Sequence, residues 1–370
     1  MRVVLTGGGT AGHVNPAIAI AQIIKENISD AEIFFIGTEN GMENRLVERE
    51  GYPMYHTKAL GIERKSLSPK NLYAMWLAFY SPIKTKSLIK KLKPDVVIGT
   101  GGYVSWPVLR AAAMCKVPTA IHESNALPGL TVRMLEDSID CIMLNFEESA
   151  KRLKHPEKAT VTGNPMRSGF GFIDREKARK ELGLCDNDRL VLSFGGSLGA
   201  KALNDACIEM MADYVQENEN VYHIHATGDR NYDECKIRFD SLIKNPSNRI
   251  RLERYINNMP TLMSAADVVI SRAGAMTVSE IALVGRASIL VPYPTSADGH
   301  QLKNAQALSN QGAAILVEEK ELSSTVLTNH VKNVIEDSEL RSKMEANVKA
   351  FAFPDANRRV FREIMKLAKK

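Results

Sequence analysis

The sequence has few cysteines, few aromatic residues and no long apolar run. Its five cysteines are widely spaced and form no C-x-x-C pair, which argues against a disulfide framework and against a zinc site. No apolar segment approaches the roughly 20 residues that a membrane-spanning helix needs. The net charge of +5 is too small to indicate nucleic-acid binding, so we expect no nucleic-acid partner. What remains is a globular protein of a reducing compartment, and because no leader pattern precedes the first strand, we expect it not to be secreted.

The chain of 370 residues is long enough for two domains, and its pattern repeats in two halves. Short apolar segments alternate with helical periodicity throughout, which is typical of parallel strands buried between helices. We therefore predict an α/β protein made of two Rossmann-like, doubly wound parallel-sheet domains. The break falls in a segment rich in glycine and proline near residues 163–171. We place the domains at residues 1–164 and 165–353, with a C-terminal helix over residues 354–370 that packs back on the first domain.

Each half opens with a strand, a glycine loop and a helix. In the first half, Gly7, Gly9 and Gly12 match the dinucleotide pattern G-x-G-x-x-G. In the second half, the loop is Gly195-Gly196-Ser197-Leu198-Gly199. Backbone N–H groups and the positive end of a helix converge at such loops and favour bound anions. These loops predict phosphate binding, and in open α/β sheets ligands bind beyond the carboxyl ends of the strands, so we expect a cleft between the two domains to hold the site.

Several motifs follow one another along the chain, all at predicted strand ends or loops. They are Gly8-Gly9-Thr10-Ala11-Gly12-His13 with Pro16, Gly101-Gly102-Tyr103-Val104-Ser105, His122-Glu123-Ser124-Asn125, Gly163-Asn164-Pro165 with Arg167, Gly195-Gly196-Ser197, and the run from Ser271 to Glu280. In this order and spacing they resemble the MurG family of peptidoglycan N-acetylglucosaminyltransferases, and the resemblance covers nearly the whole chain. It implies a GT-B fold, UDP-GlcNAc as donor and undecaprenyl-diphosphoryl-MurNAc-pentapeptide as acceptor. The implied reaction is transfer of GlcNAc to the muramyl 4-hydroxyl with inversion, in cell-wall synthesis.

The resemblance also implies which residues bind the substrates. The residues assigned to the donor are Thr10, Ala11, Gly12, Asn125, Arg167, Ser197, Ile256, Ala275, Met276, Thr277, Val278, Ser279, Glu280 and Gln301. Among them, Ser197 would meet the diphosphate, Ile256 the uracil, Glu280 the ribose hydroxyls and Gln301 the GlcNAc. The residues assigned to the acceptor are Gly101, Gly102, Tyr103 and Ser105. No D-x-D triad stands at the carboxyl end of a predicted strand, so we expect no metal site and no cofactor, and helix N-termini would stabilise the departing UDP.

Two residues compete for the role of general base. His13 ends the first loop, and a histidine suits proton transfer near neutral pH. It could instead cap the following helix or contact the acceptor diphosphate. Glu123 is the alternative base, and its competing interpretation is a structural carboxylate that holds a backbone amide or Tyr103. We also note that Trp106 and Ser124 depart from the commonest family pattern, as does Ala11.

The stretch from Lys58 to Lys93 combines nine basic residues with a single acid, Glu63, and many apolar side chains. Leu72, Met75, Trp76 and Phe79 recur at helical spacing. The plain interpretation is a core helix with a solvated basic face. We favour an amphipathic membrane contact in which these four residues enter the lipid while lysines meet anionic headgroups. This predicts a peripheral protein on the cytoplasmic face of the bacterial membrane.

Three other functions use parts of the same pattern. An NAD-dependent dehydrogenase would explain the first glycine loop, but it leaves the second loop and the ribose motif unexplained. A UDP-GlcNAc 2-epimerase would use the same donor without an acceptor, and it would release ManNAc together with UDP. A membrane-bound sensor of sugar nucleotides would hold UDP-GlcNAc with slow turnover.

Overall fold

The computed structural model describes residues 1–61, 68–167, 169–171, 173–196, 199–244, 246–296 and 299–369. The chain divides into two compact units. The N-terminal unit consists of Met1–Arg167 and Asp355–Lys370, and the C-terminal unit of Ser168–Pro354. The two boundaries predicted from the sequence, after Asn164 and after Phe353, lie three residues and one residue earlier.

The N-terminal unit contains a parallel sheet of seven strands in the order β3-β2-β1-β4-β5-β6-β7. The strands are β1 (Arg2–Thr6), β2 (Glu32–Gly37), β3 (Met54–His56), β4 (Val96–Gly99), β5 (Thr119–Glu123), β6 (Cys141–Leu144) and β7 (Ala159–Val161). The helices are α1 (Ala11–Asn27), α2 (Met42–Arg49), α3 (Pro69–Leu92), α4 (Ser105–Met114) and α5 (Leu130–Leu135). Val3, Val4 and Leu5 of the interior strand β1 are fully buried, as expected for a strand covered on both faces.

The C-terminal unit repeats this plan with six parallel strands in the order β10-β9-β8-β11-β12-β13. The strands are β8 (Arg189–Phe194), β9 (Val221–Ala226), β10 (Ile250–Glu253), β11 (Val268–Ser271), β12 (Ser288–Leu290) and β13 (Ile315–Leu316). The helices are α6 (Arg175–Glu181), α7 (Lys201–Met210), α8 (Tyr232–Leu242), α9 (Met259–Ala265), α10 (Ala275–Val284), α11 (His300–Ser309), α12 (Ser324–Glu336) and α13 (Ser338–Lys349). The predicted class of two doubly wound parallel sheets is confirmed.

The last helix, α14 (Ala356–Ala368), belongs to the N-terminal unit. Its buried side chains Val360, Ile364 and Leu367 recur at helical spacing and join the core formed by β1, β2 and α1. Asn357 near its start also exchanges hydrogen bonds with the backbone of Met166, at 2.8 Å to the N–H and 3.0 Å to the carbonyl. The segment that leaves β7 is thereby fixed to the final helix.

Candidate active site

His13 lies in the first turn of α1, directly after the glycine loop that follows β1. Its Nδ1 is 3.1 Å from the carbonyl oxygen of Gly8 and 3.3 Å from Oγ1 of Thr10. A carbonyl oxygen can only accept, so the bond to Gly8 places the ring proton on Nδ1. In the neutral ring, Nε2 then carries the lone pair. This is the tautomer in which Nε2 can accept a proton.

A second loop, Gly101-Gly102, packs against the imidazole of His13. Both glycines have positive φ, 100° and 79°. A Cβ at position 101 would come within 2.8 Å of Cδ2 of His13, and one at position 102 within 2.1 Å of the Gly8 carbonyl oxygen. Only glycine combines this backbone conformation with this close approach. The first two strand-end motifs therefore lie in contact, and this contact holds the His13 ring in place.

The side chains that follow this loop have different environments. Ser105 is fully buried, and its hydroxyl lies 2.7 Å from the carbonyl oxygen of Gly101 and 3.2 Å from that of Thr6. The Ser105 hydroxyl therefore joins the Gly101-Gly102 loop to the end of β1. Tyr103 is half-buried, and its ring lies over Gly9, where a Cβ would be 2.8 Å from Cε1. Tyr103 thus contacts both glycine loops. A further hydrogen bond to the second loop comes from the hydroxyl of Thr131, on α5, which donates to the Gly102 carbonyl at 3.1 Å.

Glu123 ends β5 as a buried carboxylate with several donors around it. Its Oε1 accepts the backbone N–H of Asn125 at 2.9 Å and the side-chain N–H of the same residue at 3.0 Å. Its Oε2 accepts the N–H of Gly129, the N-cap of α5, at 2.7 Å. Burial raises the pKa of Glu123, and these hydrogen bonds to the charged form oppose the rise. The geometry is that of a carboxylate that shapes the loop from Asn125 to Gly129.

The neighbouring His122 is fully buried beneath this loop. Its Nε2 donates to the carbonyl of Gly163 at 3.0 Å, and its Nδ1 accepts from the hydroxyl of Ser124 at 3.3 Å. Burial lowers the pKa of His122 to about 4, so the ring is neutral at physiological pH. Ser124, one of the departures from the family pattern, therefore has a defined partner in this chain.

Sequence reasoning missed Glu43, a residue of α2 that is almost completely buried. Its Oε1 accepts the backbone N–H of Thr38 at 2.9 Å and the hydroxyl of the same residue at 2.8 Å. Its Oε2 accepts the N–H of Gly9 at 3.3 Å. One N–H of the first glycine loop is therefore engaged by a carboxylate of the chain itself. The signal was present in the sequence as an acid at the start of a helix, but nothing there indicated its burial.

The other predicted residues of the N-terminal unit lie around the start of α1. Thr10 is the exposed N-cap of this helix, and Ala11 and Gly12 are its first two residues. Nη2 of Arg167 donates to the side-chain oxygen of Asn15 at 2.8 Å, which holds the arginine on the same helix. The assignment of Thr10, Ala11, Gly12, Asn125 and Arg167 to donor binding stays a prediction.

In the C-terminal unit, the glycine loop after β8 packs against the end of β9. Gly199 has φ of 79°, and a Cβ there would lie 2.0 Å from the carbonyl oxygen of Thr227. Ser197, predicted to meet the diphosphate, lies outside the described residues. The side chain of Asn204, on α7, donates a hydrogen bond to the same Thr227 carbonyl at 3.0 Å. The loop therefore packs against a carbonyl group that this bond holds in position.

A buried polar cluster supports this loop from within the sheet. The hydroxyl of Ser193 lies 2.6 Å from Nε2 of His223 and 2.7 Å from Nδ1 of His225, whose Nε2 donates to Oδ1 of Asn204 at 3.1 Å. Burial lowers the pKa of both histidines, that of His225 to about 4, and raises the pKa of the Cys207 thiol to about 12. The network is therefore neutral at physiological pH.

The same cluster contains the set of described residues closest to a metal-ligand arrangement. The ligand atoms of Cys207, His223 and His225 lie within 4.8 Å of one another. The Ser193 hydroxyl, however, sits between the two rings at hydrogen-bond length. Neighbouring ligands of a tetrahedral zinc ion are about 3.3 Å apart, given the usual bond lengths. We therefore interpret the cluster as a hydrogen-bond network that holds the loop after β8.

The predicted nucleotide-binding run forms the first two turns of α10. Its N-cap is Gly274, and Met276, Thr277 and Glu280 are half-buried, while Ala275, Val278 and Ser279 are buried. This helix start follows β11 directly, at the carboxyl edge of the sheet. Ile256, the predicted uracil contact, lies between β10 and α9 and is buried.

Gln301, in the first turn of α11, braces a neighbouring loop. Its Oε1 accepts the backbone N–H of Tyr293 at 2.9 Å. The sequence assigns no role to Arg272, but in the structure its guanidinium lies 5.5 Å from the centre of the Tyr293 ring. The same guanidinium donates to the carbonyls of Val291 and Pro292 and forms an ion pair with Glu319. Oε1 of Gln301 thus accepts a hydrogen bond from the protein itself, and the contact of this residue with GlcNAc stays a prediction.

The surface of α3 carries an unusual concentration of exposed apolar side chains. We call it the α3 apolar surface: Leu72, Tyr73, Met75, Trp76, Phe79, Tyr80 and Ile83. The rings of Tyr73, Trp76 and Tyr80 stack successively, with centroids 5.8 Å and 4.7 Å apart. Lys70, Lys84, Lys90 and Lys91 are exposed on the same helix. Residues 62–67 of this basic stretch lie outside the described residues, and among the described residues no helix is long and apolar enough to cross a membrane.

Comparison with known families covers both units. Residues 3–144 match the N-terminal domain of glycosyltransferase family 28, and residues 190–360 match the C-terminal domain of the same family. The chain is 42% identical over 366 residues to the UDP-N-acetylglucosamine–N-acetylmuramyl-(pentapeptide) pyrophosphoryl-undecaprenol N-acetylglucosamine transferase of Acetivibrio thermocellus, with 99% of this chain and 98% of the relative covered. A protein of the same name from Clostridioides difficile is 38% identical, with 99% and 89% covered.

Solved structures agree with this relationship. The crystal structure of MurG from Acinetobacter baumannii superposes with a TM-score of 0.76 at 29% identity, covering 99% of both chains. UDP-GlcNAc 2-epimerase from Neisseria meningitidis, bound to UDP-GlcNAc, reaches a TM-score of 0.65 at 14% identity and covers 99% of this chain and 100% of its own, which shows a shared fold alone. The sequence similarity extends through both units and is far higher for the transferases, so this chain belongs to the MurG family within glycosyltransferase family 28.

Proposed function

We propose that this protein transfers GlcNAc from UDP-GlcNAc to the 4-hydroxyl of MurNAc in undecaprenyl-diphosphoryl-MurNAc-pentapeptide, with inversion at the anomeric carbon. The observation that carries the proposal is the 42% identity, over nearly the full length of both chains, to a transferase named for this donor and this acceptor. The reaction needs a base for the acceptor hydroxyl and a site that stabilises the departing UDP. The two units offer candidates for each.

We assign the base to His13. The hydrogen bond from its Nδ1 to Gly8 fixes the tautomer with a lone pair on Nε2. The Gly101-Gly102 loop restricts the ring to one orientation. In the proposed step, Nε2 takes the proton of the muramyl 4-hydroxyl as its oxygen attacks the anomeric carbon, and the bond to UDP breaks on the opposite face.

We assign a positioning role to Glu123 and to Ser105. Both carboxylate oxygens of Glu123 already accept hydrogen bonds from Asn125 and Gly129, so its charge is used in holding the loop before α5. The Ser105 hydroxyl is likewise used by backbone carbonyls. The backbone N–H groups of Gly101 and Gly102, together with Tyr103, are the contacts that we propose for the acceptor.

Donor binding is proposed for the C-terminal unit. The glycine loop after β8 and the start of α10 both lie at the carboxyl edge of the sheet, where helix N-termini can stabilise a diphosphate. Glu280, half-buried in the second turn of α10, suits a pair of ribose hydroxyls because a carboxylate can accept from both. The proposal needs no metal ion, because the charge on the leaving UDP would be met by backbone N–H groups.

We further propose that the α3 apolar surface docks on the cytoplasmic face of the membrane. Exposed aromatic rings flanked by lysines are the composition expected of a helix that lies in an anionic lipid interface. A membrane contact would bring the enzyme to an acceptor whose lipid chain keeps it in the bilayer.

The deciding experiment is release of UDP from UDP-GlcNAc, measured with and without the lipid-diphosphoryl-MurNAc-peptide acceptor. We expect release that depends on the acceptor, and near-total loss of it in His13→Ala with UDP-GlcNAc binding retained. Release of UDP with free ManNAc in the absence of acceptor would contradict the transferase and favour an epimerase. Tight retention of UDP-GlcNAc with no turnover would favour a sensor.

A further inference from the structure

A proline interrupts the hydrogen bonding of α3 within the segment that carries its apolar surface. Pro82 lies inside this helix and has no N–H to donate to the carbonyl of Ala78, four residues earlier. The indole Nε1–H of Trp106 donates to that carbonyl instead, at 2.8 Å. A bond that would normally lie within one helix is therefore made between α3 and α4.

The α3 end of this bond lies within the segment of the helix that carries the exposed aromatic residues. Ala78 directly precedes Phe79, which is 80% exposed, and in the sequence it stands between Trp76 and Tyr80, whose rings stack on each other. Any displacement of this part of α3 would move the proposed membrane contact. Trp106 is thus hydrogen-bonded to α3 within the segment that we propose to contact lipid.

The other end of the bond leads to His13 in two short steps. Trp106 is the second residue of α4 and follows Ser105, whose hydroxyl holds the carbonyl of Gly101 at 2.7 Å. The Gly101-Gly102 loop in turn is in contact with the imidazole of His13. These contacts lie within the N-terminal unit and join the α3 apolar surface to the proposed base.

We propose that Trp106 is a positioning residue that fixes the His13 loop at a set distance from the lipid surface on which α3 rests. The inference deepens the proposed function and rests on it. An acceptor anchored in the bilayer presents its sugar at a height determined by its own diphosphate, so the loop must be held at the matching height. A misplacement of about 1 Å can cost on the order of 100-fold in rate.

The test compares one variant on two acceptors. Trp106→Phe retains an aromatic ring and removes the N–H. The two acceptors carry the same diphosphoryl-MurNAc-peptide, one on a long lipid chain in phosphatidylglycerol vesicles and one on a short water-soluble chain. We expect kcat/KM for the vesicle-bound acceptor to fall about tenfold, as for a lost hydrogen bond with some misplacement, while the value for the soluble acceptor changes less than about twofold.

A second variant separates positioning from stability. Pro82→Ala returns an N–H donor to the Ala78 carbonyl, so the double variant Pro82→Ala/Trp106→Phe has no unpaired carbonyl but still lacks the bond between the helices. We expect the double variant to regain the melting temperature of the unaltered protein and to keep the selective loss on vesicles. Equal losses on both acceptors, or full recovery on vesicles in the double variant, would overturn the role of Trp106. Absence of UDP release by the unaltered protein with either acceptor would instead reject the transferase itself.

Discussion

The carboxylate of Glu43 accepts a hydrogen bond from the backbone N–H of Gly9 at 3.3 Å, so a buried acid holds the first glycine loop in position. The other carboxylate oxygen is bound by the N–H and the hydroxyl of Thr38, at the end of β2. Glu43 therefore ties together the loops after β1 and β2. This contact also places a negative group next to a loop whose sequence pattern alone predicts an anion site.

Replacing Glu43 by glutamine tests the importance of this contact. The amide has one accepting oxygen in place of two and presents an NH2 group to donors that need an acceptor. We expect Glu43→Gln to lower the free energy of unfolding by about 1–3 kcal/mol, because a buried donor is left unpaired. Urea denaturation measures it, with Glu48→Gln, an exposed acid of the same helix, as the control. Equal stability of the two variants would contradict the assigned role.

The alternation of strands and helices could be predicted because buried parallel strands leave continuous apolar segments in the sequence. The predicted opening of each half by a strand, a glycine loop and a helix is present as β1 with α1 and as β8 with α7. Burial of polar residues is different, since it depends on contacts between distant segments. Glu43 accepts the N–H of Gly9, and Arg272 donates to the carbonyl of Val291, and no local sequence pattern connects either pair.

Only part of the candidate site, too, can be predicted from the sequence. The motifs place His13 and the Gly101-Gly102 loop at neighbouring strand ends, and the structure brings them into contact. We propose His13 over Glu123 as the base on the ground of hydrogen-bond geometry, which the sequence does not contain. The partner of Trp106 could not be foreseen either, because it depends on a carbonyl released by a proline in another helix.

Paired substitutions distinguish the two candidate bases. We expect His13→Gln to reduce kcat by about 100-fold to 10,000-fold, the range for loss of a general base, while UDP-GlcNAc binding is unchanged. We expect Glu123→Gln to lower the free energy of unfolding by about 1–3 kcal/mol, since Gly129 or Asn125 loses its acceptor, and to leave the folded enzyme active. Steady-state kinetics and urea denaturation of both variants measure this. The reverse pattern would assign the base to Glu123.

His122 makes the stability of the N-terminal unit depend on pH. Its pKa is about 4 in the folded protein and about 6.5 when unfolded, so between these values the unfolded chain binds more protons. Its contribution is fully present above pH 6.5 and is lost as the pH falls toward 4. The slope approaches about 1.4 kcal/mol per pH unit for one proton.

Urea denaturation between pH 4 and pH 7 tests this dependence. His122→Gln keeps a donor for the carbonyl of Gly163 but does not titrate, so we expect a shallower loss of stability on acidification. The control is His56→Gln, at an exposed histidine, which should keep the slope of the unaltered protein. Identical slopes in all three proteins would show that His122 is not the group responsible.

The α3 apolar surface gives a prediction about lipid binding that is independent of catalysis. Phe79 and Trp76 are 80% and 52% exposed, and burying each ring in the interface should contribute about 1.5–3 kcal/mol. We therefore expect Trp76→Glu/Phe79→Glu to bind phosphatidylglycerol vesicles at least about 100-fold more weakly in co-sedimentation. Ile237→Glu, at a residue 74% exposed on α8 of the other unit, is the matched control and should bind normally.

The charge on this helix makes a separate contribution to the same measurement. Lysines near an anionic surface contribute about 1 kcal/mol each, and salt screens them within roughly 8 Å at physiological ionic strength. Binding of the unaltered protein should therefore weaken with added salt and on neutral phosphatidylcholine vesicles, while the apolar part persists. If the double glutamate variant sedimented with anionic vesicles as well as the unaltered protein, the membrane contact would have to lie elsewhere on the chain.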